Sequence, residues 1–157
     1  MISVTIHKPF IAIIDKIEIK TIVRIVLSEL AIDPAKAVNV VIGDDRLLHD
    51  LNLNYLGNDR PTDVLSFEAT EIDPNNGEIN LGDIIISYPT AERQANQAGH
   101  PVRNEILLLL THGVLHLAGF DHDTPASKKE MWQKQSALLG KMNVEINRIS
   151  GDEDFHD

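Results

Sequence analysis

Residues 101–119, PVRNEILLLLTHGVLHLAG, admit few folds. Pro101 suits the opening turn of a helix, where a missing N–H costs nothing, and Gly119 suits its end, because glycine accepts a left-handed backbone. Between them Leu107 to Leu110, Val114, Leu115 and Leu117 read as core packing. A helix this apolar persists in water only when other elements cover it. Yet it also carries His112 and His116, and His122 follows shortly after, so three of the chain's seven histidines fall within eleven positions.

The rest of the chain supplies the cover. ISVTIH at 2–7 alternates as a half-buried strand does, and IEIKTIVRIVLSELAI at 17–32 has helical spacing that Asp33-Pro34 stops. VNVVIG at 38–43 reads as a buried strand, Asp44 or Asp45 caps a short helix running through Leu53, and DVLSFEA at 63–69 reads as a third strand. The turn signal Pro74-Asn75-Asn76-Gly77 leads into INLGDIIIS at 79–87, which makes strands three and four a hairpin, whereas the earlier strands are joined through helices and run parallel. TAERQANQAG at 90–99 is a helix closed by Gly99, and a last helix spans 126–139. Strands mixed with helices and then three helices predict an α+β domain, a small mixed four-stranded sheet packed with helices.

With 157 residues and no cysteine, one domain over 1–149 is expected, with 150–157 as an acidic tail. The absent thiols exclude disulfides, thiolate metal cages and cysteine nucleophiles, so a metal must be held by nitrogen and oxygen. A reducing cytoplasm fits this composition. Neither a basic leader before a long apolar stretch nor an apolar run of membrane-spanning length is seen, and no membrane association is expected. A formal charge of -10 excludes broad electrostatic attraction to nucleic acid, and four of the acids, Asp152, Glu153, Asp154 and Asp157, lie in the last seven residues. RNA would need a local positive cleft, drawn from Arg60, Arg93, Arg103 and a bound metal.

Positions i and i+4 of a helix share a face, so His112 and His116 can aim their rings at one point. Gly119 lets the chain reverse through Phe120-Asp121, and His122 swings back as a third ligand. Three neutral imidazoles with an open fourth position are what catalytic zinc uses. The spacing matches the metzincin frame H-E-x-x-H-x-x-G-x-x-H at every place but one. Where a metalloprotease has its general-base glutamate, this chain has Gly113. A glycine inside a helix costs about 1 kcal/mol relative to alanine, and two explanations stand: close packing against a neighbour, or room for a bulky substrate.

THGVLHLAGFDH at 111–122, with PTDVLSF at 61–67, LGDIIIS at 81–87 and QANQAGH at 94–100, resembles the YbeY family of bacterial endoribonucleases. The resemblance implies a zincin-like fold with its metal helix near the C-terminal third and Zn2+, or another divalent ion, on His112, His116 and His122. It implies cleavage of single-stranded RNA in 16S rRNA maturation and ribosome quality control, with the small ribosomal subunit and the Era GTPase as partners. Two positions depart from the family pattern. Asn52-Leu53-Asn54-Tyr55 is followed by Leu56 instead of arginine, and Glu68 stands where proline is common. Arg60, four residues on, is the replacement for the missing cation if its loop folds suitably; the other reading is a solvated turn arginine.

Zn2+ would polarise a phosphoryl oxygen and either ionise a water or assist the RNA's own 2'-hydroxyl, two routes that a 2'-deoxy substitution at the cut site separates. With Gly113 lacking a side chain, Asp121 is the nearest candidate for proton transfer, and orienting His122 or capping the turn is its other role. His100 and Arg103 are expected at the border of the substrate cleft. Glu105, about two turns before His112, suits a salt bridge or a helix-start role better than catalysis. The alternatives to a nuclease are a zinc peptidase, which Gly113 disfavours, and a noncatalytic ribosome assembly factor whose metal serves folding.

Overall fold

The computed structural model describes residues 1–70, 72, 74–75, 77 and 80–146. Along them the order is β1 (Ile2–Ile6), α1 (Lys16–Glu29), β2 (Val38–Gly43), α2 (Asp45–Leu56), β3 (Val64–Glu68), β4 (Gly82–Ser87), α3 (Tyr88–Ala98), α4 (Val102–Leu117) and α5 (Pro125–Lys141). The strands form one sheet in the order β1-β2-β4-β3. β1, β2 and β4 run parallel, and β3 returns antiparallel to β4 with Leu65 opposite Ile85. The mixed sheet and the β3–β4 pairing are as the turn signal and the helical crossovers predict. The acidic tail expected at 150–157 lies outside the described residues.

Alternation along the strands sorts the core into two layers. Val38, Val40 and Ile42 of β2 and Ile84 and Ile86 of β4 face the side occupied by α1, α4 and α5, where the main core forms. Leu65 and Ile85 face the other way, onto Leu48 of α2. Residues one apart on a strand point to opposite faces, so a single register serves both layers. α4 is the interior element, touching α1, α3, α5, β3 and β4, and every residue from Glu105 to Leu115 is buried. Among the described residues no helix is long and apolar enough to cross a membrane.

Several helix ends differ from the sequence expectation. α1 stops at Glu29, ahead of Asp33-Pro34, because Ala31 takes a left-handed backbone (φ 56°) and Ile32 N–H bonds back to the Leu27 carbonyl at 2.9 Å. Glycine normally occupies that position, so the sequence lacks the signal. α3 starts two residues earlier than the spacing predicts, since Ser87 caps it and Pro89 sits in its first turn.

Of the two aspartates expected to cap α2, Asp44 does so, accepting from Leu47 N–H at 3.0 Å. Asp45 instead gathers Ser87 Oγ, Thr90 Oγ1 and Arg93 around its carboxylate, fastening α2 to the β4–α3 junction. Burial raises the Asp45 pKa, but the three hydrogen bonds and the Arg93 charge outweigh it and leave the carboxyl below its ordinary value. A depressed folded-state pKa adds stability above the unfolded value of about 3.9, and this is lost as pH falls through the folded pKa. Asp45→Asn is therefore expected to flatten the acid limb of stability against pH below about 5, measured by urea unfolding at a series of pH values.

Candidate metal and active site

α4 delivers two of the three histidines and its own termination delivers the third. Ala118 ends the helix, Gly119 takes φ 102°, Gly119 N–H bonds to the His116 carbonyl at 3.1 Å and Phe120 N–H to the Leu115 carbonyl at 3.0 Å. This paired closure is the Schellman motif, and Phe120 packs its ring onto the core as the motif favours. The far side of the loop is held by the capping box of α5, in which Ser127 N–H bonds to Thr124 Oγ1 at 3.1 Å and Thr124 N–H to Ser127 Oγ at 3.0 Å. His122 is thus carried on a short segment clamped at both ends.

The ring centroids of His112, His116 and His122 form a nearly equilateral triangle with sides of 6.5, 5.8 and 6.0 Å. His112 is buried, whereas His116 and His122 are half-buried. A tetrahedral ion about 2.0–2.1 Å from one nitrogen of each ring would hold the centroids roughly 5 to 5.5 Å apart, so each ring needs to move inward by only about 0.5 Å. Among the described residues no three acidic or imidazole groups are already gathered as closely as the ligands of a bound ion. The chemistry of the set suits a borderline cation: three imidazoles, with no thiolate in the chain.

One polar contact to the histidine set is not read from the sequence. Gln135 of α5 is buried, and its Oε1 lies 3.2 Å from His112 Nδ1. It belongs to a seam with Met131, Leu138 and Leu139, all buried. The available signal was an amide at a core position of a helix expected to pack on α4.

The other expected residues are spread over α3, the α3–α4 turn, α4, the α4–α5 loop and the α2–β3 loop. Asp121 is half-buried beside the histidines; its Oδ1 accepts from Asp123 N–H at 3.2 Å. The hydrogen bond from Ser127 and that backbone bond hold its carboxyl below the usual range, with the His122 and His116 charges acting in the same direction.

His100 is buried, and its Nε2 lies 2.6 Å from Glu105 Oε2, a carboxyl that is itself fully buried. Arg103 pairs with Glu18 of α1. Arg103 precedes His112 by nine residues, about 14 Å along the helix, so this end of α4 stands apart from the histidine face. Arg93 is engaged by Asp45.

Arg60 is exposed. Its loop is folded back on α2: buried Asn52 donates through Nδ2 to the Arg60 carbonyl at 2.9 Å, and His49 Nε2 lies 2.6 Å from Asp59 Oδ1. Leu56, where the family has arginine, is the exposed last residue of α2, and Gly57 closes that helix with φ 73°. Of the three arginines proposed for a positive cleft, Arg60 is the one with no ion pair among the described residues.

Comparison with known proteins places these features in a group. The sequence profile described as Endoribonuclease YbeY matches residues 11–143. A protein of that name from Dehalococcoides mccartyi is 40% identical over 150 residues, covering 88% of this chain and 87% of the relative. One from Frankia alni is 34% identical over 149 residues, covering 88% and 81%, and one from Pelotomaculum thermopropionicum is 46% identical over 110 residues, covering 68% and 72%. A solution structure of a Thermotoga maritima protein superposes with a TM-score of 0.62 at 26% identity, covering 98% of this chain and 99% of that one.

Gly113 has a packing cause. A Cβ built there would meet Ile84 Cγ2 at 2.8 Å, with Ile84 Cγ1 and Cδ1 at 3.2 and 3.3 Å. The helix rides so close to β4 that any side chain collides, and Ser66 Oγ reaches the Gly113 carbonyl at 3.4 Å from β3. The place of the metalloprotease glutamate is closed by the sheet. Gly113→Ala is expected to lower stability by about 1–2 kcal/mol, overpacking outweighing the gain in helix propensity. Combined with Ile84→Ala it should cost less than the two single changes added together, as urea unfolding of all three variants will show.

Proposed function

The chain belongs to the YbeY family of endoribonucleases, and from that premise we propose that it cuts single-stranded RNA with one divalent ion, Zn2+ in the first instance, held by His112, His116 and His122. The carrying observation is the triangle of rings 5.8 to 6.5 Å apart on a helix end and loop that are closed by their own hydrogen bonds. Three protein ligands leave a tetrahedral ion one position for substrate or solvent. When bound, the ion supplies Lewis acidity to a phosphoryl oxygen and makes a nucleophile easier to ionise.

The protein's own groups do the rest. α4 and the Gly119 turn hold the three imidazoles close together on a rigid backbone, which supports their acting as a ligand set after a small inward movement. Arg60, in a loop anchored by Asn52, carries a planar guanidinium suited to a phosphate and offers the cation that Leu56 does not. Asp121 holds the turn that presents His122 and adds negative charge beside it. In this reading residues 1–149 are one metal-dependent hydrolase domain of zincin-like arrangement, acting in the cytoplasm on 16S rRNA precursors at the small ribosomal subunit, with an Era-type GTPase as a partner.

A second reading, a noncatalytic assembly factor with a folding metal, draws on the neutralised Arg93 and Arg103 and on the acidic charge. A chelator and His112→Ala discriminate between the two. The nuclease reading predicts that both abolish cleavage of a single-stranded RNA while the circular dichroism spectrum and melting cooperativity persist; unfolding on metal loss would support the assembly factor instead. Arg60→Ala is expected to lower kcat/KM by on the order of 10- to 100-fold without shifting the melting midpoint, as expected for loss of a contact to developing phosphoryl charge. Steady-state cleavage of a fluorescent RNA reads this directly, and an unchanged rate would return Arg60 to the role of a solvated turn residue.

A further inference from the structure

The polar contact beneath the histidine face has a directional consequence. Gln135 Oε1 lies 3.2 Å from His112 Nδ1, and both side chains are all but excluded from solvent, at 1% and 2% exposure. A neutral imidazole carries one proton. If an amide oxygen faces Nδ1, the proton must sit on Nδ1 and Nε2 is left with a bare lone pair. Nε2 then carries the unprotonated lone pair that a metal ligand requires.

An amide turned over would do the opposite, donating to Nδ1 and leaving the proton on Nε2, where it would block an ion. The contact therefore selects one of two tautomers. We propose that Gln135 is the positioning residue of the metal site: its carboxamide oxygen accepts the Nδ1 proton of His112, fixes the ring plane and keeps Nε2 available to a divalent cation. This rests on the metal reading given above, and it assigns a task to a residue outside the ligand triad.

Two features of the packing support a role beyond space filling. Gln135 sits one turn from Met131 and shortly before Leu138 and Leu139, in a seam that is otherwise apolar. A buried amide there costs free energy unless it is hydrogen-bonded, and a leucine would fill the seam without that cost. Moreover His112 is the most buried of the three histidines, so it is the one that solvent can least help to orient. His116 and His122 are half-buried, so solvent reaches them more readily.

The test compares the wild-type full chain with Gln135→Leu, which removes the acceptor, and Gln135→Glu, which keeps an oxygen in the same place. Zinc affinity is measured by competition with a chromophoric chelator, and the His112 tautomer is read from long-range 1H–15N correlation spectra of the metal-free protein. Gln135→Leu is expected to weaken zinc binding by about 10- to 100-fold and to raise the share of the Nε2–H form, whereas Gln135→Glu should stay within a few-fold of wild type with Nδ1–H retained. Equal zinc affinity and unchanged tautomer in Gln135→Leu would overturn the proposal, as would Nε2–H in the wild type. Equal losses in the Leu and Glu variants would also overturn it, because packing and not the acceptor would then be the cause. A wild-type chain that binds no zinc overturns the metal reading itself, a result distinct from any of these.

Discussion

The architecture turns on how closely α4 lies against β4. Gly113 permits it: Ile84 occupies the space where any Cβ at that position would be. With the helix seated there, Leu107 to Leu110, Val114 and Leu115 reach the core on every side, and α1, α3 and α5 close around it. The helix is held firmly by apolar contact, so its C-terminal turn carries polar groups on a rigid backbone. A site that needs three nitrogens placed to within a fraction of an ångström gains from such a base.

The same contact separates two chemistries that share one ligand spacing. A metalloprotease uses the residue after its first histidine as a base, and here that residue faces the wall of the sheet instead of the cleft. In the metal reading, proton handling would come from substrate or solvent, or from groups on the loop, where Asp121 Oδ1 also accepts from Asp123 N–H.

Much of this was legible in the residues. The β3–β4 hairpin follows from Pro74 and Gly77, the parallel strands from the helical crossovers, and the reversal that returns His122 from Gly119, since each depends on local backbone chemistry. What escaped depended on tertiary neighbours. Ala31 ends α1 in a conformation that sequence assigns to glycine, and the two explanations for Gly113 could be separated only once Ile84 was located beside it. Gln135 was invisible because its partner lies 23 residues away on another helix. The partners of His100 and Arg103, Glu105 and Glu18, likewise emerge only from the fold.

Local coordination at the ion tests the central claim most directly. X-ray absorption at the zinc edge of the fully loaded chain should show three imidazole ligands at about 2.0–2.1 Å together with one non-protein oxygen donor. A fourth protein ligand, or a shell with fewer than three imidazoles, would contradict it, because the ion would then lack either the vacancy or the ligand triad on which RNA cleavage depends.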